Sequence, residues 1–267
     1  MRYWLVMPAA GVGRRFGSAM PKQYAPLQGR TVIEWALAPF LADPSCAGVS
    51  VSLAADDPYW GEVAERLGKR PGGTPEIIFA GGGAERSHSV RKGLEALANH
   101  ATEDDWVLVH DAARPCLSAA DLQHLLERLA AHRVGGILAT PAADTLKRAS
   151  AHAASPAAPG VRAPGTHSEP AARTAPADPA IDQTVERAGL WRALTPQMFR
   201  YKMLCEALDR ALVRGRLPTD EAQALEWMGE HPVLVQGSAA NIKITSADDL
   251  VLAAALLNAR EAGVVSR

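Results

Sequence analysis

A chain of 267 residues can bury one substantial core or two small ones. With 28 Lys+Arg against 29 Asp+Glu its charge is balanced, so no global charge points to nucleic acid or an anionic membrane, and phosphate chemistry must come from local basic clusters. No apolar run approaches the roughly 18 residues of a membrane helix, and the scattered Cys46, Cys116 and Cys205 fit neither a disulfide framework nor a zinc site, which suits a reducing, cytoplasmic compartment.

Apolar runs alternate with helix-period segments along the chain. Tyr3 to Met7 has the apolar character of a signal-peptide core, but glycines and arginines follow where a cleavage site belongs, so a buried first strand is expected. Thr31–Leu41 reads as an amphipathic helix, Gly48–Leu53 as a strand, Pro58–Leu67 as a helix and Glu76–Ala80 as a short strand. A helix over Glu85–Leu97, a strand over Trp106–Val109 and a helix over Ser118–Ala131, with Ser118 as N-cap, continue the alternation. Such alternation buries strands on both faces and predicts an α/β three-layer sandwich with a mostly parallel, Rossmann-like twisted sheet.

The pattern breaks at Ala149–Ala180, which holds 12 Ala and 6 Pro and almost no large apolar side chain. Proline at that density blocks helix and ladder formation, so a loosely ordered surface insertion is expected. Its flanks, Asp144–Lys147 and Ile181–Glu186, alternate like two strands of a hairpin arm spanning 142–190 within one domain of residues 1–267. Beyond the arm come Leu194-Thr195-Pro196-Gln197, a helix over Tyr201–Val213 and a helix N-capped by Thr219 with Asp220 and Glu221 complementing its dipole. A strand over Val233–Val235 and a helix over Ala247–Leu257, capped by Ser246, follow.

Three clusters carry chemistry. The first strand runs into Pro8-Ala9-Ala10-Gly11-Val12-Gly13-Arg14-Arg15-Phe16-Gly17, then Pro21-Lys22-Gln23-Tyr24. Glycines let backbone N–H groups approach a phosphate, and Arg15 and Lys22 add positive charge. The spacing G-x-G-x-x-x-G is not a dinucleotide fingerprint, no ribose-binding acid follows because Glu34 lies within a helix, and no Walker lysine is present. The second cluster, Gly81-Gly82-Gly83-Ala84-Glu85-Arg86-Ser87-His88-Ser89, joins glycines to a helix start and suits a base or ribose edge, though a plain capped loop explains it equally well. The third, Val109-His110-Asp111-Ala112-Ala113-Arg114-Pro115, sits at the carboxyl end of a buried strand, where open sheets bind ligands. Asp111 there suits a divalent cation beside phosphates and Arg114 a second anion, while His110 lacks metal-ligand spacing and reads as structural. Lys243, in Asn241-Ile242-Lys243-Ile244-Thr245, reads in isolation as a solvated lysine.

In order along the chain, Ala-Ala-Gly-x-Gly-Arg-Arg, Pro-Lys-Gln-Tyr, Gly-Gly-x-x-Glu-Arg, Val-His-Asp-Ala-Ala-Arg-Pro, Leu-Thr-Pro-Gln, Thr-Asp-Glu-Ala and Asn-Ile-Lys resemble the 2-C-methyl-D-erythritol 4-phosphate cytidylyltransferases of non-mevalonate isoprenoid biosynthesis. The resemblance covers about residues 3 to 257, the Ala/Pro insertion excepted. It implies CTP and methylerythritol phosphate as substrates, Mg2+ as cofactor and a homodimer joined through the arm, with neither nucleic acid nor membrane as partner. It further implies nucleotide contacts from Ala9, Ala10, Gly11, Gly83, Ser89 and Asp111, the last also at the metal. Arg15 and Lys22 would stabilise the transition state; Arg114, Thr195 and Thr219 would hold the alcohol phosphate; Arg187 and Lys243 would place the attacking phosphate. Thr145 and Arg187 lie on the arm, which in the family reaches into the partner's site. Ala84 stands where relatives carry an aspartate. Rival readings are a ribitol-phosphate cytidylyltransferase, a more distant sugar-1-phosphate nucleotidyltransferase, a catalytically silent nucleotide-binding regulator and a dehydrogenase.

Overall fold

The computed structural model describes residues 1–11, 20–68, 75–150 and 178–263. The chain opens with β1 (Tyr3–Pro8), a short 3-10 turn (Lys22–Tyr24), a small hairpin of β2 (Pro26–Leu27) and β3 (Arg30–Thr31), and α1 (Val32–Ala42). Alternation continues through β4 (Cys46–Leu53), α2 (Trp60–Gly68), β5 (Glu76–Gly81), α3 (Arg86–Ala96), β6 (Trp106–Val109), α4 (Ala119–Leu129) and β7 (Gly135–Pro141). After β8 (Leu146–Ala149) and β9 (Ile181–Val185) come β10 (Trp191–Arg200), α5 (Tyr201–Val213), α6 (Glu221–Glu226), β11 (Val233–Gln236) and α7 (Ala247–Glu261).

A seven-stranded sheet, ordered β11-β7-β10-β6-β1-β4-β5, forms the centre. β1 pairs in parallel with β4 and β6, β4 with β5, and β11 with β7, while β10 runs antiparallel to β6. Strand β1 is buried along nearly its whole length, as a strand covered on both faces must be. Tyr3, Leu5 and Met7 pack with the apolar stripes of α1, α2 and α4 in one cluster. Val6 faces the opposite layer, where a Cβ added to Gly93 of α3 would lie 2.7 Å from Val6 Cγ1 and 3.0 Å from Ser52 Oγ. The glycine lets α3 ride close on the sheet. The three-layer, mostly parallel α/β fold expected from the alternation is therefore present.

Local chemistry fixes the helix starts. Thr31 caps α1 in a capping box with Glu34, whose carboxylate accepts from Thr31 N–H at 2.8 Å and from Arg66 Nε at 2.9 Å. That engagement confirms Glu34 as a structural acid rather than a ribose ligand. Ser118 caps α4 by accepting from Asp121 N–H at 3.0 Å, and Ser246 caps α7 with Asp249. Helix α6 differs from expectation: its N-cap is Asp220, one residue after Thr219, because the Asp220 carboxylate accepts from Gln223 N–H at 3.0 Å. Strands β7 and β10 go beyond the elements read from the sequence pattern. The three cysteines are free thiols, and among the described residues no helix is long and apolar enough to cross a membrane.

The contacts divide the chain into two compact units, Met1–Thr140 with Ala193–Arg267, and Pro141–Arg192. Within the second, β8 and β9 form the antiparallel hairpin read from the flanks, pairing Leu146 with Val185 and Lys147 with Thr184. Lys147 Nζ donates to Thr184 Oγ1 at 2.7 Å, and Ala142 N–H to the Leu190 carbonyl at 2.9 Å. Leu146, Ile181 and Leu190 are exposed. Of the Ala/Pro insertion expected at 149–180, residues 151–177 lie outside the described residues.

Candidate active site

The carboxyl ends of β1 and β6 and the start of α3 converge on a cleft of about 460 Å³. Ala9, Ala10 and Gly11 form one wall, Gly83, Ala84, Glu85, Arg86 and Ser89 another, and Asp111, Lys22 and Lys243 complete it. Sequence-distant motifs thus meet in a single hollow. Arg15 lies outside the described residues.

The glycine-rich wall is tied down by Gln23, whose side-chain amide donates to the carbonyls of Ala9 at 2.7 Å and Gly11 at 3.1 Å. Ala9 N–H donates to the Ser52 carbonyl at 2.8 Å, which anchors the loop to β4. Lys22 leaves the 3-10 turn and donates to the Ile244 carbonyl at 2.7 Å, so its ammonium lies beside the segment that carries Lys243. Opposite, Ser89 Oγ, which lines the cleft, accepts from Gly83 N–H at 3.0 Å and donates to the Glu85 carbonyl at 3.3 Å, which shapes the turn. A Cβ on Gly82 would stand 2.2 Å from Ala10 Cβ and 2.9 Å from the Leu53 carbonyl oxygen, so only glycine lets the two walls approach.

Asp111 is the electrostatic hub. Its Oδ1 accepts from Arg86 Nε at 2.8 Å, its Oδ2 from Lys243 Nζ at 2.7 Å, and Arg114 Nε stands 3.8 Å from Oδ2. Burial alone would raise the Asp111 pKa, but Arg86, Lys243 and Arg114 together hold it well below the usual carboxylate range. Lys243 is thus paired, not merely solvated as its local sequence suggested. Arg86 also donates through Nη1 and Nη2 to Glu221 at 2.6 and 3.1 Å. Burial of Glu221, outweighing the attraction of Arg86, raises its pKa. Sequence reading missed both Arg86 as a cleft residue and Glu221 as its partner; the available signal was an arginine at a helix start beside three glycines.

Beneath the hub lies a buried chain of hydrogen bonds. The Arg114 carbonyl can only accept, so His110 Nε2 donates to it at 3.1 Å and Nδ1 accepts from Thr195 Oγ1 at 2.9 Å. Thr195 Oγ1 in turn accepts from Asp111 N–H at 3.2 Å. Burial pushes the His110 pKa down to about 4, so the ring is neutral and structural, as read from sequence. Arg114 Nη1 donates to the Asn241 carbonyl at 2.7 Å, and Asn241 Nδ2 to the Thr195 carbonyl at 2.7 Å. Arg114 and Thr195 therefore hold the loop under Asp111. Thr219 is exposed just before α6, its N–H donating to Gln223 Oε1 at 2.9 Å. Thr145 and Arg187 belong to the second unit, where Arg187 Nη1 donates to the Ala143 carbonyl.

Among the described residues no group of three or more His, Cys, Asp or Glu gathers to hold a metal ion. The cleft's carboxylates are Asp111, with both oxygens engaged by cations, and Glu85. A divalent ion at Asp111 would have to share that carboxylate with Arg86 and Lys243.

The sequence profile of the 2-C-methyl-D-erythritol 4-phosphate cytidylyltransferase family matches residues 3–158 and 169–259. A protein of that name from Halorhodospira halophila is 47% identical over 262 residues, covering 98% of this chain and 96% of its own. One from Vibrio vulnificus is 44% identical over 93% of this chain and 91% of its own. A crystal structure described as 4-diphosphocytidyl-2C-methyl-D-erythritol synthase superposes with a TM-score of 0.73 at 32% identity, covering 96% of this chain and 98% of that one. That of the Thermus thermophilus cytidylyltransferase gives 0.69 at 30% identity, covering 97% and 100%. Profile, relatives and fold agree across nearly the whole length, and the chain belongs to the 2-C-methyl-D-erythritol 4-phosphate cytidylyltransferase family.

Proposed function

We propose that this chain transfers the cytidylyl group of CTP to the phosphate of 2-C-methyl-D-erythritol 4-phosphate, giving the CDP-alcohol and pyrophosphate, in isoprenoid biosynthesis. A phosphate oxygen of the acceptor forms a bond to the α-phosphorus of CTP, the bond to the β-phosphate oxygen breaks, and pyrophosphate leaves with that electron pair. The acceptor phosphate, with a second pKa of about 6, is already mostly dianionic near neutral pH and needs no general base. The barrier lies in bringing anion to anion and in stabilising the charge that develops as pyrophosphate departs. Lys22, anchored on the Ile244 carbonyl, and Lys243, paired with Asp111, supply fixed positive charge on one side of the cleft. The glycine-rich wall and the turn at Gly83 leave room for the nucleotide on the other.

The convergence of Lys22, Gly83, Asp111 and Lys243 on one cleft carries this reading. Turnover of CTP with methylerythritol phosphate and with ribitol 5-phosphate, read as pyrophosphate release, tests it. Preference for ribitol 5-phosphate, or no release with either, would overturn it.

Our reading extends to Arg15 and Arg187 as further phosphate ligands and to Arg114, Thr195, Thr219 and Thr145 as residues of the acceptor side. Mg2+ enters this reading as a companion of the triphosphate rather than a fixture of the protein. A cytoplasmic homodimer joined through the arm is also part of it, supported by exposed Leu146, Ile181 and Leu190 on that arm. Sedimentation at equilibrium tests the dimer, and a monomer at micromolar concentration would overturn it.

A further inference from the structure

A run of alternating charges, Glu221–Arg86–Asp111–Lys243, passes from the interior behind the cleft to its open side. Glu221 is 1% exposed and lines no part of the cleft, whereas the Lys243 side chain is 38% exposed. The guanidinium of Arg86 is shared: Nη1 and Nη2 donate to Glu221, and only Nε, at 2.8 Å, reaches Asp111 Oδ1. Lys243 holds Asp111 Oδ2 at 2.7 Å. An acceptor phosphate that takes up Lys243 must compete with Asp111 for the same ammonium.

We propose that Arg86 and Glu221 are positioning residues that set how tightly Asp111 holds Lys243, and hence how readily Lys243 passes to the acceptor phosphate. This rests on the reading of Lys243 as an acceptor-phosphate ligand. A carboxylate already compensated at Oδ1 attracts a cation at Oδ2 less strongly. Removing Arg86 leaves Oδ1 without its 2.8 Å cation, with Lys243 on Oδ2 and Arg114 Nε 3.8 Å away, and Lys243 is held harder. Removing the Glu221 charge frees the two Nη groups, and Arg86 turns a bidentate edge on Asp111, the stronger geometry. Lys243 is then released. The two substitutions therefore act on acceptor binding with opposite sign.

The test measures KM and kcat for CTP and methylerythritol phosphate, and calorimetric affinity for inorganic phosphate, in wild type, Arg86→Met, Arg86→Lys and Glu221→Gln, each also in a Lys243→Gln background. Arg86→Met raises the acceptor KM and weakens phosphate by roughly tenfold or more, the worth of one charge-assisted hydrogen bond. Arg86→Lys falls between it and wild type, and Glu221→Gln lowers both constants. In the Lys243→Gln background these differences vanish, because the effect passes through Lys243. Shifts of the same sign in Arg86→Met and Glu221→Gln would overturn the proposal, as would differences that persist without Lys243. Urea unfolding confirms that each variant is folded, and Arg86→Lys carries the test if Arg86→Met is not. Ordered phosphate affinities without turnover would refute only the assigned reaction; turnover without the ordering would refute only the positioning role.

Discussion

Replacing Thr195 by Val exchanges a hydroxyl for a methyl of nearly equal volume and cuts the hydrogen-bond chain under Asp111 at its midpoint. His110 Nδ1 loses the hydroxyl donor at 2.9 Å, and Asp111 N–H loses its acceptor at 3.2 Å. Both groups are sealed from solvent, with His110 0% and Asp111 7% exposed. Each buried polar atom left without a partner costs about 1–3 kcal/mol, so with two such atoms Thr195→Val should lose about 2–6 kcal/mol. Against a typical total of roughly 5–15 kcal/mol this is a large effect. Equilibrium unfolding in urea at pH 7 measures it, as a lower midpoint at unchanged slope. Thr195→Ser, which keeps the hydroxyl, should recover most of the difference. A Thr195→Val loss below about 1 kcal/mol, or a Thr195→Ser as weak as Thr195→Val, would refute the claim that this chain supports the loop.

Other outcomes follow from the same geometry. His110 titrates near 4 when folded against roughly 6.5 unfolded, so the unfolded chain binds the extra proton; stability is intact above 6.5 and falls by about 3 kcal/mol as pH drops to 4. An NMR titration of the folded protein should find the His110 ring neutral at pH 5, and a midpoint near 6.5 would contradict the assigned burial. Lys22→Ala should lower kcat by roughly two to three powers of ten with the fold intact, measured as pyrophosphate release, and near wild-type turnover would remove Lys22 from the mechanism. Gly82→Ala forces a methyl to 2.2 Å from Ala10 Cβ, and by overpacking should lose about 1–3 kcal/mol and weaken CTP binding, both measurable by unfolding and calorimetry.

The strand–helix alternation was legible because buried parallel strands such as β1 and β6 are continuous apolar runs, and because capping residues like Ser118 mark helix starts. β7 begins at Gly135-Gly136 and β10 carries Pro196 within it, so neither shows an uninterrupted apolar signal. The site residues were legible as motifs, but their pairings were not. Lys243 lies 132 positions from Asp111, and nothing local distinguishes a paired lysine from a solvated one. Glu221 was visible only as an acid complementing a helix dipole, since its true partner sits 135 residues earlier.

Four strands of the sheet, β5-β4-β1-β6, are encoded by residue 109, yet the cleft draws its last cation from Lys243 and fastens Lys22 to the carbonyl of Ile244. During synthesis, which proceeds from the N-terminus, the glycine-bearing walls of the cleft can thus assemble long before Lys243 is made. A chain broken off before position 243 would keep much of its central sheet but neither Lys243 nor the fixed orientation of Lys22. On the proposed mechanism, termination ahead of Lys243 therefore yields a silent protein rather than one with relaxed chemistry.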